Sequence, residues 1–355
     1  MQTQQDNQPQ VGTIPNPVKS FPYDERLSSM EMSQLWLLYL AYDANKYCYN
    51  YYYAKTQDPE MKSLFVDALN NVQPQLDAIS NLFNTVRFPI PHGFKDKDVN
   101  INAKRLFSDG LMLMHLRKQT KFGLIEFGHA LSLVTRPDVK EFINSGLIQQ
   151  QNLLNKIDEV LEKKGIYIKP PYTIVPDRVS YVKDKGDFYG GLFGKNRPIN
   201  ILELSYMFEN LMIKDIAHAL LLGFSQVAED VEVKKCFQKG IEVVRKIRER
   251  GSKYLKEENL TLPVTLDSEV TDSKEAPFSD RLMVFDKLRV VNLSVIAIGF
   301  AMASSSRKDI IVSYYDDMRE VQNYGKMLLD LYLEKGWMEG IPLVADRDEI
   351  IGLSH

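Results

Sequence analysis

The stretch DPEMKSLF at residues 58–65 returns as DVEVKKCF at residues 230–237, with Asp, Glu, Lys and Phe at the same places. A second match has nearly the same spacing, because FSD at 107–109 returns as FSD at 278–280. Similarity of a chain to itself at one fixed spacing is typical of an internal duplication. The sequence therefore predicts two copies of one structural unit.

The duplication extends well beyond these two stretches. Further identities keep the same order and spacing along the chain, which chance matches do not do. They are Gly128 with Gly299, Arg136 with Arg307, and Gly165 with Gly336.

Apolar periodicity predicts four helices in each copy. The first and last connections of each copy are short, and the middle one is long. This pattern fits a four-helix bundle with one long crossover, as in ferritin-like folds. The predicted helices are 28–56, 59–86, 108–133 and 137–164 in the first copy, and 200–228, 231–257, 279–304 and 308–335 in the second.

Several repeated polar residues are typical of helix ends. Ser28 with Glu31, and Asn200 with Glu203, have the spacing of a capping box. Glycines follow the fourth helix of each copy, where a left-handed residue commonly ends a helix. We therefore interpret these repeats as structural and not as catalytic.

The resulting fold class is all-α, with two tandem ferritin-like four-helix bundles related by internal duplication. The predicted organisation is a polar N-terminal segment at 1–27, a first bundle at 28–168, a linker at 169–199, a second bundle at 200–340 and a C-terminal tail at 341–355.

Composition excludes some classes of function. The net charge is −3 with 26% charged residues, which gives no basic surface for nucleic acid. No run of eighteen apolar residues predicts a membrane span, and the first twenty residues lack a secretory apolar core. Cys48 and Cys236 fall within helical patterns without metal-ligand spacing, so we expect buried thiols in a reducing, cytoplasmic compartment.

A ferritin-like bundle raises the question of a carboxylate-bridged metal site, which needs Glu-x-x-His on two helices. The chain has one such motif, Glu126 with His129. The equivalent residues of the second copy are Ala297 and Phe300, so that copy lacks the motif. We treat Glu126 and His129 as weak candidates, favour a local Glu–His pair, and predict no metal, no cofactor and no catalytic residue.

Two other features invite a functional interpretation. Asp43 and Asp215 correspond between the copies; they could face inward, but we favour a helix surface or a bundle interface. The glycine-rich GDFYGGLFGKN at 186–196 lacks the signature of a phosphate loop. We interpret it as a connector whose aromatic and leucine side chains pack against a bundle: Phe188, Tyr189, Leu192 and Phe193.

Tyrosines crowd the first helix. Tyr39, Tyr42, Tyr49 and Tyr53 follow a helical stripe, which predicts burial. Tyr47 and Tyr51 fall off the stripe, so we expect them to be exposed. Exposed tyrosines would form a contact surface, and a sharper hypothesis has them cross-linked in an assembled layer.

The chain resembles a bacterial family named domain of unknown function 3231, found mainly in endospore-forming bacteria. The resemblance rests on FPIPHGF, DVNINAKRLFSD, KGIYIKPPY, LLLGFSQVA and LDSEVTDSKEAPFSD, together with KGW and DRDEI near the end, in order from about residue 17 to 350. It implies tandem ferritin-like bundles with a distant similarity to spore coat proteins of the CotF type. It implies no activity.

From these observations we expect a non-enzymatic structural or assembly protein, cytoplasmic and spore-associated, which binds itself or other proteins of a spore layer. The alternative is a small-molecule or metal-binding ferritin-like protein, such as a degenerate oxidoreductase. Such a protein would use the bundle interiors or the groove between bundles.

Overall fold

The computed structural model describes residues 26–192, 196–344, 346–347 and 351. Within these residues the chain is helical, and its long helices match the predicted ones to within two residues at each end. Most of the predicted N-terminal segment, part of the C-terminal tail with His355, and Phe193 lie outside the described residues. The helices are α1 Ser29–Lys55, α2 Pro59–Thr85, α3 Asp109–Leu133, α4 Pro137–Lys163, α5 Lys185–Tyr189, α6 Ile201–Val227, α7 Val231–Glu257, α8 Asp280–Ala303 and α9 Lys308–Glu334.

The helix ends are set by the residues that the sequence indicated. The Ser28 hydroxyl accepts from the Glu31 N–H at 3.2 Å, and the Glu31 carboxylate accepts from the Ser28 N–H at 2.8 Å. Asn200 and Glu203 repeat this arrangement at the start of α6. Gly165 and Gly336 have φ of 68° and 66°, which is the left-handed conformation predicted after α4 and α9.

The two copies pair their helices in the same way. In the first copy α1 and α4 each pack against both α2 and α3, and in the second copy α6 and α9 each pack against both α7 and α8. This repeated pairing confirms the internal duplication. The described ranges contain isolated β-bridges but no strand, and none of the helices in them is long and apolar enough to cross a membrane.

The long crossovers of the two copies, which join α2 to α3 and α7 to α8, lie against each other and contact reciprocally. Two bridges and two backbone hydrogen bonds form mate pairs, in which both residues are exchanged for their equivalents 171 positions away. Reciprocity of this kind defines an approximate two-fold axis, as in a symmetric dimer. The pairs are the bridges Val99–Phe278 and Phe107–Val270, and the backbone hydrogen bonds from Ser108 N–H to Glu269 O at 2.9 Å and from Ser279 N–H to Asp98 O at 3.0 Å.

The predicted exposure of the α1 tyrosines is wrong at three positions. Tyr47 and Tyr51 are buried, whereas Tyr53 is 41% exposed. The first crossover covers the face of α1 that periodicity left open, because the Tyr47 hydroxyl donates to Phe94 O at 3.3 Å and the Tyr51 hydroxyl donates to Lys104 O at 2.8 Å. The expected tyrosine contact surface is therefore part of the core.

The glycine-rich connector also differs from the prediction. Tyr189 and Leu192 are exposed and not packed against a bundle. Phe188 is half-buried, with the Arg197 guanidinium 5.3 Å from its ring centre. The short helix α5 leaves its own apolar side chains largely open because it is only five residues long.

Candidate functional site

A cluster of buried polar side chains lies between the two copies, at the approximate two-fold axis. Its central residues are His115 on α3 and Asp286 on α8, which occupy equivalent positions 171 residues apart. The His115 Nε2 is 3.4 Å from the Asp286 Oδ1, and both side chains are at least 94% buried. The axis thus brings together two equivalent positions that hold chemically different residues.

Buried contacts fix the orientation of His115. The Gln119 amide nitrogen lies 3.0 Å from Asp286 Oδ1, to which it donates, and 3.1 Å from His115 Nε2. On the other side of the ring, the Tyr52 hydroxyl lies 2.7 Å from Nδ1. Both ring nitrogens therefore have buried partners.

Charges stabilise Asp286 in its ionised form. Burial raises the pKa of this carboxyl, but Lys287, the hydrogen bond with the His115 ring and Lys118 together outweigh burial and hold the pKa well below its usual value. The Lys287 Nζ is 2.9 Å from Asp286 Oδ2 and 4.7 Å from the centre of the Phe224 ring. Burial lowers the pKa of His115 to about 4, so the ring is neutral at pH 7.

Lys118 differs from Lys287 in having no ion pair among the described residues. It is 96% buried, and its Nζ, like that of Lys287, has no hydrogen-bond partner there, but Lys287 lies 2.9 Å from the Asp286 carboxylate. Burial lowers its pKa to about 7; Lys287, Arg289 and Lys214 act in the same direction, and Asp286 acts against them. A buried amine without a partner is costly to keep charged, so this position is electrostatically incomplete.

Lys118 lines a cavity of about 260 Å³ between α3 and α6. The walls are mainly apolar, and the side chains at the mouth, such as Ile125 and Phe300, are partly exposed. Asn210 and Asp215 also line it, and within the described part of the chain their Oδ1 and Oδ2 atoms, respectively, accept no hydrogen bond. Other wall residues are Met114, Phe122, Leu161, Ile166, Tyr206 and Ile213.

The cavity exists because the copies differ in side-chain size. Met114, Leu161 and Ile166 are equivalent to Phe285, Tyr332 and Trp337 at the spacing of 171. In the second set, the Phe285 and Tyr332 ring centres are 6.4 Å apart and those of Tyr332 and Trp337 are 5.7 Å apart. Three aromatic rings thus pack together where the other half has three aliphatic chains and a cavity.

The weak metal candidates do not converge. Glu126 Oε2 lies 3.6 Å from Arg289 Nη2 on α8, while His129 is exposed at the end of α3. Within the described ranges, no group of three or more His, Cys, Asp or Glu side chains is placed to hold a metal ion. The favoured Glu–His pair is replaced by a contact of Glu126 with the second copy.

The equivalent aspartates are buried, so the helix-surface alternative is wrong. Asp215 lines the cavity between the copies, which agrees with the bundle-interface alternative. The Phe94 N–H in the first crossover donates to Asp43 Oδ2 at 2.5 Å. Asp215 accepts from Arg248, whose Nη2 also donates to Pro263 O in the second crossover at 3.3 Å. Both aspartates therefore position a crossover.

Cys48 and Cys236 are buried, as predicted. Burial raises the pKa of both thiols, that of Cys236 to about 12. A thiol in this protonated form is a weak nucleophile, so both cysteines act as small core residues.

Sequence reasoning missed Lys118, the cavity and the pairing of His115 with Asp286. A signal was present, because the duplication places His115 opposite Asp286 on apolar helices where charged residues are costly. The repeat was found from residues that are identical in the two copies. The site was missed because it lies at equivalent positions where the two copies have different residues.

The fold and the site define a duplicated all-helical protein with an ionic cluster and a cavity between its copies. The family described as Protein of unknown function (DUF3231) matches residues 17–179 and again 187–350, and the chain belongs to this family. The resemblance stated from the sequence is thereby confirmed.

Other comparisons add little. No curated protein matches the chain. A solved structure from Bacillus halodurans C-125, described provisionally as a spore coat protein, is 17% identical over 42% of this chain and 98% of that chain, with a TM-score of 0.39.

Proposed function

We propose that the protein is a non-enzymatic assembly protein of ferritin-like architecture, cytoplasmic when made and associated with the bacterial spore, which binds a second copy of itself. The observation that carries this proposal is a segment of exposed apolar side chains in the linker that joins the two copies. Ferritin-like architecture is supported by the short, long, short order of connections and by the cyclic packing of four helices. Spore association is the expectation that comes with the family resemblance.

The exposed segment comprises residues 172–182, YTIVPDRVSYV. It contains six apolar side chains that are between 65% and 96% exposed. Contiguous apolar surface of this kind is typical of interaction sites. Exposed apolar side chains also follow the last helix of the second copy, where Leu343 and Val344 in the tail are 92% and 91% exposed. The exposed side chains of the segment are Tyr172, Ile174, Val175, Val179, Tyr181 and Val182.

A second copy of the chain is the partner that this segment fits. When the segment is paired antiparallel with its own copy, one register places Asp177 opposite Arg178 on both sides of the symmetry axis. The same register places Ile174 opposite Tyr181, so the charged pair is flanked by apolar pairs. Beta-branched and aromatic residues favour the extended conformation that such pairing needs.

Sedimentation velocity of the full chain over a range of concentrations tests this proposal. We expect a dimer or larger species for the wild type, and weaker association for Asp177→Arg, which places two arginines opposite each other. The double change Asp177→Arg with Arg178→Asp restores opposite charges, so association should return. Asp316→Arg, a similar charge change on the exposed face of α9, is the matched control and should associate as the wild type does.

A monomeric wild type at high concentration would refute self-association. Association that Asp177→Arg leaves unchanged would refute the assignment to this segment. Spore association has its own test, which is immunoblotting of washed spores against the mother-cell fraction. Protein confined to the mother-cell fraction would refute that part.

A further inference from the structure

The cavity between α3 and α6 is a separate feature that self-association does not use. We propose that it binds a small amphipathic carboxylic acid, whose carboxylate pairs with Lys118 Nζ and whose apolar body lies against Leu161, Ile166 and Ile213. The other cationic side chains that line it are already paired. Arg117 binds Asp158, and Lys121 binds Glu209 at 2.5 Å.

The charge balance of the site favours an anion. Lys118 and Lys287 are two cationic side chains beside the buried carboxylate of Asp286. Arg289 pairs with Glu126, and the Asp215 carboxylate in the cavity wall pairs with Arg248. Asp286 already binds Lys287 and Gln119, whereas Lys118 Nζ is left without a hydrogen bond from the described residues. A ligand carboxylate would supply that bond and the missing negative charge.

The number of donors distinguishes a carboxylate from a phosphate. A phosphate carries up to two charges and several acceptor oxygens, and its burial would require several donors. Lys118 is a single amine within an apolar wall, so it suits one negative charge. Asn210 Oδ1 adds an unused acceptor, which a hydroxyl group on the ligand could satisfy.

Size and shape indicate the ligand body. A volume of about 260 Å³ exceeds the cavity of about 150 Å³ that holds benzene in an engineered protein. It is smaller than the sites of drug-sized molecules, which start near about 300 Å³. The second copy closes the equivalent space with Phe285, Tyr332 and Trp337, so the fold itself does not require a cavity here.

Isothermal titration of the full chain with two probes of the same length tests the site. Decanoate carries the carboxylate, and 1-decanol replaces it with a neutral hydroxyl. We expect the wild type to bind decanoate about tenfold to a hundredfold more tightly than decanol, the range for a hydrogen bond to a charged group. In Lys118→Met this ratio should fall to about one. Lys140→Met removes an exposed lysine of α4 that does not line the cavity, and it should keep the wild-type preference.

A second variant tests the space. Met114→Phe with Ile166→Trp places in the cavity two of the aromatic residues that fill the other copy. We expect it to keep the wild-type helical content by circular dichroism and to bind neither probe. Three outcomes would overturn the proposal: no binding of either probe to the wild type, equal affinity for both, or an unchanged preference in Lys118→Met.

Discussion

Replacement of Lys118 by methionine should make the protein more stable near neutral pH. The side chain is 96% buried, and burial is the main reason that its pKa falls from 10.5 to about 7. At about 1.4 kcal/mol per pKa unit, this difference corresponds to roughly 5 kcal/mol that the folded state loses by keeping the amine charged. Methionine has a similar length and no charge, so Lys118→Met removes that cost.

The stability of the wild type should depend on pH, and the direction of this dependence follows from the pKa of Lys118. The unfolded chain holds the Lys118 proton up to about pH 10.5, whereas the folded protein releases it near pH 7. Between these values the unfolded state binds more protons, so the wild type gains stability as pH rises. The cost of the charge is largest below pH 7 and falls by roughly 2 to 3 kcal/mol between pH 6 and pH 9.

Urea unfolding of the wild type and of Lys118→Met at pH 6, 7.5 and 9 measures this effect. The advantage of the variant should be largest at pH 6 and smaller by that amount at pH 9. Differences in packing do not depend on pH, so they cancel when the two ends of the series are compared. Lys121→Met, on the same helix, controls for the loss of a lysine.

Two results would refute the reasoning. If the difference between Lys118→Met and the wild type is the same at pH 6 and pH 9, then Lys118 does not release its proton near neutral pH. If the variant is less stable at pH 6, a partner of the amine has been missed, and the case for an incomplete site is lost as well.

Three other substitutions or titrations follow from the structure. The His115 ring should titrate near pH 4 in NMR spectra. The unfolded histidine binds its proton near pH 6.5, so the free energy of unfolding should fall as the pH drops from about 6.5 to 4. A ring that titrates above pH 6 would contradict this. Glu31→Gln and Glu203→Gln should each cost about 1–3 kcal/mol in urea unfolding at pH 7, because each carboxylate accepts two backbone N–H groups of a later loop. With each folded pKa near 2, this contribution should be lost as pH falls from 4.5 towards 2. Gly223→Ala should lower the free energy of unfolding by about 1–3 kcal/mol, because the added Cβ would lie 2.4 Å from an aromatic ring carbon. The control is Gly128→Ala, whose Cβ meets no atom of the described chain within 4 Å. This substitution should raise the free energy of unfolding by up to about 1 kcal/mol in the same assay.

The helix ends could be predicted because their causes are local. A cap such as Ser28 or Asn200 bonds to the backbone within three residues, and Gly165 or Gly336 needs only its own φ. Periodicity then located the helices between these ends. The pairing of the helices followed from the repeat and from the lengths of the connections.

Burial on α1 could not be predicted in the same way. Periodicity on one helix identifies the side that faces its own bundle, but Tyr47 and Tyr51 face the first crossover. The Tyr51 ring also packs 5.2 Å from Phe278 of the second copy, centre to centre. These contacts join residues far apart in the chain, and a single-helix pattern carries no information about them.

The approximate two-fold axis accounts for two features of this protein: the reciprocal contacts between the copies and the differences between them at the axis. Matched residues keep the two copies together through reciprocal contacts, as in the mate hydrogen bonds of Ser108 and Ser279. A symmetric pair of identical chains would place like residues opposite each other at its axis, with two histidines or two aspartates in contact. Duplication within one chain removes that constraint, so His115 can face Asp286. The same freedom allows one copy to fill with aromatic rings the space that its partner leaves as a cavity beside Lys118. A ligand site on only one side of the axis is therefore an arrangement that the single chain permits and that a symmetric dimer of this unit would not.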